Sequence, residues 1–367
     1  MQQRISIWRY FDVYLAAAVI LLTGYGVLMI RSAITGEPNF VGYEIRQLIF
    51  GLAGVVIMVV IAAVDYRYLT SVHWYIYAAL IVLLLLVLIL GVANNTAQRW
   101  IPFGPIEIQP SELGRVFLTL SFSQFLASRE RQMGEFRNTL LTLVYFGFPM
   151  FLIFIQPNLG MTILYTVIWF VIMVMAGLPL SHFLVLAGTG IVSLLVVLPF
   201  LRPYQLNRIT TFIDPSSDPD QAFNVDQAVI SVGSGGWWGK GYFNGTQSQL
   251  GFLRVQHTDF IFSMITEEMG FFLGSAFVLI LLGFILFRIL RAAALTPDPA
   301  GRYTCIGIAG FLFFQTVVSV GMNVRLLPVT GLTLPFVSYG GSSLVTLFLA
   351  IGVVQSILMR HRKQEFG

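Results

Sequence analysis

Charge is scarce in this sequence: Asp, Glu, Lys and Arg make up 10% of 367 residues, against roughly 25% in an ordinary soluble domain. So few charges cannot solubilise a chain that is 57% hydrophobic, and a mean hydropathy of +0.82 puts most of it against lipid or against itself within a bilayer. Cysteine is nearly missing. The single Cys305 excludes an intrachain disulfide and a metal site built on thiolates, and its apolar neighbours mark a small buried residue. The four histidines, His73, His182, His257 and His361, are scattered, so no zinc-ligand spacing exists. A serine-hydrolase elbow is absent. So is any internal repeat, which argues against transporters built from two similar halves. A cleavable signal peptide is also lacking: Arg4 and Arg9 precede an apolar run, 13–30, that outlasts a signal h-region and ends without a cleavage site, so it reads as a retained signal anchor.

What is present is a series of apolar runs fit to cross a hydrocarbon core of roughly 30 Å, which takes about 20 helical residues. They fall at 13–30, 48–64, 74–93, 113–127, 140–155, 161–176, 182–201, 270–290, 306–322 and 344–359. The expected fold is an all-α integral membrane protein, a polytopic bundle of about ten transmembrane helices forming one domain over 1–367. The net charge of +4 matters less than its placement. With a cytoplasmic N-terminus, alternate connections put Arg67, Arg129, Arg131, Arg137, Arg288, Arg291, Arg302, Arg360, Arg362 and Lys363 inside, while Arg31, Arg46, Arg99 and Arg325 lie outside. That distribution obeys the positive-inside rule and returns the C-terminus to the cytoplasm.

Two outer connections are unusually long or polar. The one near 202–259, between spans seven and eight, carries Asp214, Asp218, Asp220, Asp226, Arg208, Lys240 and Arg254 and a glycine-rich stretch from Gly233 to Gly245; loops of that length are often functional. The other, 94–112, is polar and proline-broken and holds Arg99, Trp100, Gln109, Ser111 and Glu112. Charges at the edge of membrane spans raise functional hypotheses. Asp259 follows His257 and Thr258 and opens an apolar segment running to Glu267 and Glu268. It is either a reacting carboxylate or a helix N-cap, where an anion gains roughly 0.3–1 kcal/mol. Glu112 and Arg115 read as the first turn of a helix capped by Ser111, or as charges lining an outward cavity. The glycine-rich stretch could bring backbone amides to an anion beside Lys240, although it lacks P-loop spacing; a flexible loop is the generic alternative. Ser338-Tyr339-Gly340-Gly341-Ser342-Ser343, after Pro328 and Pro335, reads as irregular backbone at membrane depth, tolerated only where it is buried or lines a cavity.

Several of these strings, in this order, resemble one family. Ala97-Gln98-Arg99-Trp100, Gln109-Pro110-Ser111-Glu112, Gly245-Thr246-Gln247-Ser248-Gln249-Leu250-Gly251, His257-Thr258-Asp259 with Glu267-Glu268, and Leu327-Pro328-Val329-Thr330-Gly331 with Ser338 to Ser343 are similar to the SEDS (shape, elongation, division and sporulation) proteins. The resemblance covers nearly the whole chain. Its Thr-Gln-Ser-Gln and Pro-Val-Thr-Gly forms point to the RodA elongation branch over the FtsW division branch. It implies a peptidoglycan glycosyltransferase of the bacterial cytoplasmic membrane that polymerises lipid II on the outer face, with Asp259 as general base. It also implies substrate-binding roles for Arg99, Glu112, Arg115, Arg208, Lys240, Gln247, Ser248, His257, Thr258, Ser338, Gly340 and Gly341, and a divalent cation, Mg2+ or Mn2+, as a possible aid to the leaving pyrophosphate. The implied partners are a class B penicillin-binding protein, lipid II and the growing glycan, with no nucleic acid. The chain departs from the family at Arg115, where lysine is common, and at Asn158, where aspartate is usual. Arg254 and Gln256 also stand where proline and a basic residue are frequent. Two rival readings stay open: a lipid II flippase, which has no need of Asp259 for chemistry, and a structural scaffold.

Overall fold

The computed structural model describes residues 8–94, 97–103, 106–197 and 203–360; Arg4, His361, Arg362, Lys363 and the last residues of the seventh expected span lie outside them. Each of the ten expected spans coincides with a helix. Among the described residues, seven helical runs are long and apolar enough to cross a membrane. They are α1 (Val13–Ala33), α2 (Tyr43–Ala63), α4 (His73–Leu90), α6 (Phe136–Ile155), the run Ile261–Leu295, α14 (Pro299–Asn323) and α15 (Gly341–Arg360). The short α3 (Tyr66–Ser71) joins α2 to α4, and the remaining spans are α5 (Pro110–Ala127), α7 (Leu159–Met175) and α8 (Leu180–Val197). Starts are set locally: Asp12 caps α1 by accepting from the Leu15 amide, and Asp298 caps α14 ahead of Pro299, where a missing N–H costs nothing. Helix α5 begins two residues earlier than a Ser111 cap requires. Pro110 takes its first position and Gln109 is the cap residue, because proline's fixed φ suits that position.

Burial sorts the bundle. The apolar window of α15 is 83% buried and that of α4 only 17%, so α15 forms the interior and α4 faces lipid. Helices α15 and α2 approach at Gly54, where a Cβ would lie 2.3 Å from Phe348, and at Gly352, where it would lie 2.9 Å from the Met58 carbonyl. Small residues are what permit such contact between membrane helices.

Two connections are more structured than an irregular loop. The segment 94–112 folds with the end of α4 into a small antiparallel sheet, β1 (Val92–Asn94), β2 (Ala97–Phe103) and β3 (Ile106–Ile108) in order β1-β2-β3, an addition to the otherwise helical fold. Its short strands and Pro102 hide it from a periodicity reading. The long connection holds α9 (Pro203–Ile213), α10 (Pro219–Gly235) and the one-turn α11 (Thr246–Gln249). Asn207 donates to Asp218, which caps α10, so α9 and α10 are pinned together.

The run Ile261–Leu295 is broken at Gly270, whose φ is +71°. Helix α12 (Ile261–Gly270) folds back on the single π-type turn Phe271–Ala276 that leads into α13 (Phe277–Leu295). Thr266 and Ser275 hydroxyls therefore lie 2.7 Å apart, although nine residues of straight helix would separate them by roughly 13 Å. The glycine-rich stretch wraps this break. Lys240 and Gly241 amides donate to the Glu267 and Glu268 carbonyls, and Phe271 N–H donates to the Gly236 carbonyl. The Lys240 and Gly241 amides are therefore spent on helix α12 and not on an anionic ligand. Glycine is required because a Cβ on Gly239 would stand 2.1 Å from the Glu268 carbonyl oxygen. A Cβ on Gly270 would likewise meet the Gly239 amide nitrogen at 2.3 Å in a left-handed conformation. Gly270→Ala is expected to destabilise the protein by about 1–3 kcal/mol, read as a lower Tm in detergent.

Candidate active site

The helices alternate in direction, so α1, α4, α6, α8 and α14 end where α2, α5, α7, α13 and α15 begin. At that end lies a cavity of about 600 Å³. Its lining includes His257, Thr258 and Asp259 before α12, Tyr43, Arg46 and Phe50 of α2, and Trp100, Pro102 and Glu107 of the sheet. Gln109 and Glu112 at the start of α5, and Gly331, Thr333, Tyr339, Gly340, Gly341 and Ser343 before and in α15, complete it.

Asp259 is half-buried and does not cap α12, whose cap residue is Phe260 with no side-chain bond. The capping alternative is thereby removed. Asn323, at the end of α14, holds the backbone here: its amide donates to the Asp259 carbonyl at 2.9 Å and its side-chain oxygen accepts from the Ser263 amide at 3.0 Å. The irregular segment before α15 is stitched to the same turn. Ser338 Oγ donates to the Thr258 carbonyl at 2.7 Å, and the Tyr339 amide donates to the His257 carbonyl at 2.9 Å. Gln47 of α2 ties down the other side by donating to the Ser338 carbonyl and accepting from the Gly340 amide. Gly341 lets this segment meet Phe50, 2.6 Å from where a Cβ would stand.

Burial raises the Asp259 carboxyl above its ordinary value of 3.8, and the positive charge of Arg208 opposes that rise. A carboxylate whose pKa is raised by burial is a stronger base than a solvated one and is suited to accept a proton. Arg208 comes from α9 and lines an adjoining cavity of about 160 Å³ together with Arg99, Asn158 and Gln205. Arg99 donates to the Gln156 and Pro157 carbonyls, and Asn158 caps α7 by accepting from Met161 N–H. His257 is packed against Phe40, ring centroids 4.4 Å apart, and Tyr43; burial lowers its pKa to about 4, so it is uncharged at neutral pH.

The sequence-derived candidates divide into three groups. Asp259, His257, Thr258, Glu112, Gly340 and Gly341 line the large cavity, with Ser338 bracing it from behind; Arg208 and Arg99 share the adjoining one. Arg115 is fully buried below Glu112, at 2.8 Å, and donates to Gln315 and Ser343, so it orients Glu112 instead of facing the cavity. Lys240, Gln247 and Ser248 gather elsewhere. Lys240 Nζ is 2.8 Å from Glu267, and the Gln247 and Ser248 amides donate to the same carboxylate. Because Glu267 is fully buried, its charge demands these partners. Lys240→Gln should lower stability by about 1–3 kcal/mol yet leave turnover per folded molecule near wild type, checked by thermal unfolding beside a rate assay.

Arg46, Tyr43 and Glu107 are cavity residues that motif reading passed over, and Tyr339 entered it only as part of the Ser338–Ser343 string. Tyr43 and Tyr339 stack at 4.3 Å, and Arg46 sits over Tyr43. A lone arginine opening an apolar span was the available signal. Among the described residues no three carboxylate, imidazole or thiol groups meet as a metal site.

The model of the FtsW/RodA/SpoVE cell cycle protein family matches residues 12–363. The chain belongs to this family. It is 35% identical over 360 residues to the peptidoglycan glycosyltransferase MrdB of Escherichia coli K12, covering 96% of this chain and 95% of that protein. To stage V sporulation protein E of Bacillus subtilis it is 34% identical, covering 94% and 96%. A solved chain of a peptidoglycan synthase complex, described for its coordination of polymerization and crosslinking, superposes with a TM-score of 0.78 at 31% identity, covering 97% of this chain and 99% of that one. The rod shape determining protein RodA of Thermus thermophilus gives 0.69 at 30%, covering 97% and 98%. As a member of the family this chain is a multi-pass membrane protein and a peptidoglycan glycosyltransferase.

Proposed function

We propose that the chain polymerises lipid II on the outer face of the cytoplasmic membrane during cell elongation, with Asp259 as general base. The observation that carries this reading is the half-buried Asp259 carboxylate, lining a cavity of about 600 Å³ with the Arg208 charge acting on it. The acceptor is the 4-hydroxyl of an incoming lipid II GlcNAc. Its oxygen bonds to the donor's anomeric carbon as the bond to undecaprenyl pyrophosphate breaks, in one inverting displacement. The hydroxyl proton passes to Asp259, and the electron pair leaves with the pyrophosphate. Arg208 and Arg46 supply positive charge where the leaving group develops its own, and Arg99 extends that field into the adjoining cavity.

Sidedness is supported by charge. Arg67, Arg129, Arg131, Arg137, Arg288, Arg291, Arg302 and Arg360 all fall at the end opposite the cavity, the distribution expected of a cytoplasmic face with both termini inside. The elongation role rests on the Thr246-Gln247-Ser248-Gln249 and Pro328-Val329-Thr330-Gly331 forms. The partner we propose is a class B penicillin-binding protein, consistent with the synthase complex among the structural neighbours. Proteoliposomes test the function. Glycan polymer from lipid II presented on the cavity side is expected, and leaflet exchange without polymer would establish transport instead.

A further inference from the structure

A second cavity, of about 320 Å³, opens at the end of the bundle opposite Asp259. It lies where α1 begins and α13 and α15 end, and its lining holds Arg9, Arg288 and Arg291 against one carboxylate, Asp12. Three cations less one anion leave a local charge of +2. The floor is built: Asp12 and Gln355 exchange two backbone-to-side-chain hydrogen bonds at 2.8 Å. Asp12 also accepts from Arg288 Nε at 2.6 Å, which fixes that guanidinium beneath the opening. Arg9 and Arg291 are exposed above it. The walls are of a different kind. Val13, Tyr14 and Leu295 are exposed apolar or aromatic side chains at the membrane boundary, and Arg288 lies over the Tyr14 ring at 5.7 Å.

A pocket cationic at its mouth and apolar along its membrane-facing wall fits a molecule with a negative head and a hydrocarbon tail. We infer that this cavity seats an anionic phospholipid of the adjacent leaflet, its phosphate between Arg9, Arg288 and Arg291 and its acyl chain along Val13 and Leu295. Basic pockets between helices recognise such headgroups because the charges are held at headgroup depth. The site is remote from Asp259, so it stands whether or not the proposed chemistry is right.

The test is lipid retention by the purified full-length protein in detergent, titrated with phosphatidylglycerol or phosphatidylcholine and read by native mass spectrometry. Losing two arginines from an anionic-headgroup site should weaken phosphatidylglycerol binding roughly 30-fold. The variant Arg9→Gln/Arg291→Gln should show that loss, with phosphatidylcholine binding and the melting temperature unchanged. Arg9→Lys/Arg291→Lys should retain most of the binding, and Arg131→Gln/Arg137→Gln, cations on the same end outside the cavity, should behave as wild type. Wild-type binding by the Arg9→Gln/Arg291→Gln protein, or an equal loss in the Arg131→Gln/Arg137→Gln control, would overturn the assignment. Displacement of the lipid by inorganic phosphate at similar concentration would overturn it too, as a site for soluble anions.

Discussion

Asp259→Asn should insert and fold yet lose lipid II polymerisation by at least about 100-fold, because a positioned general base contributes roughly 100- to 10,000-fold. The amide keeps the size of the carboxylate and cannot take the hydroxyl proton. Stability should move the other way. Burial raises the Asp259 pKa, so the folded state disfavours the ionised form, and above that pKa the charge costs stability. Replacing it with a neutral amide should leave Tm at neutral pH equal or higher. A variant that is dead but no less stable is the signature of a catalytic group whose buried charge costs stability; a dead variant that also unfolds would instead mark Asp259 as structural.

Arg208→Gln should have the next largest effect, through two routes. Loss of the cation proposed to face the departing pyrophosphate should slow the plateau rate by at least about tenfold. The second route is a pH shift whose sign follows from the site. Arg208 holds the Asp259 carboxyl down against burial; without it the pKa rises, more of the base is protonated at any acidic pH, and the acid limb of the rate profile moves to higher pH. Arg208→Lys should restore much of the limb's position but less of the rate, since an ammonium keeps the charge and loses the planar donor set.

Much of this arrangement was legible in sequence, for identifiable reasons. Spans are long apolar runs, so every expected one coincides with a helix, and Asp259 stood out because a carboxylate at the head of an apolar segment is costly. The break that ends α12 fell where the eighth span was expected to begin, since Gly270 punctuates an otherwise continuous pattern. The role of Lys240 was not legible: its partner, Glu267, is 27 residues away, and only the fold-back of the glycine-rich stretch brings them together. Nor was the burial of Arg115, whose partners Gln315 and Ser343 lie on α14 and α15. Arg46 and Tyr43 were hidden because they head a span with no motif of their own, and their neighbour Tyr339 arrives from the far end of the chain. Long-range partners of this kind leave no periodic trace.

The most direct test is the pH dependence of glycan polymerisation, measured on purified protein with the proposed transpeptidase partner for wild type, Arg208→Gln and Asp259→Asn. Wild type should show one acid limb governed by an ionisation above 3.8, Arg208→Gln the same limb at higher pH, and the residual activity of Asp259→Asn no limb at all. An unchanged acid limb in Asp259→Asn would mean that some other group takes the proton.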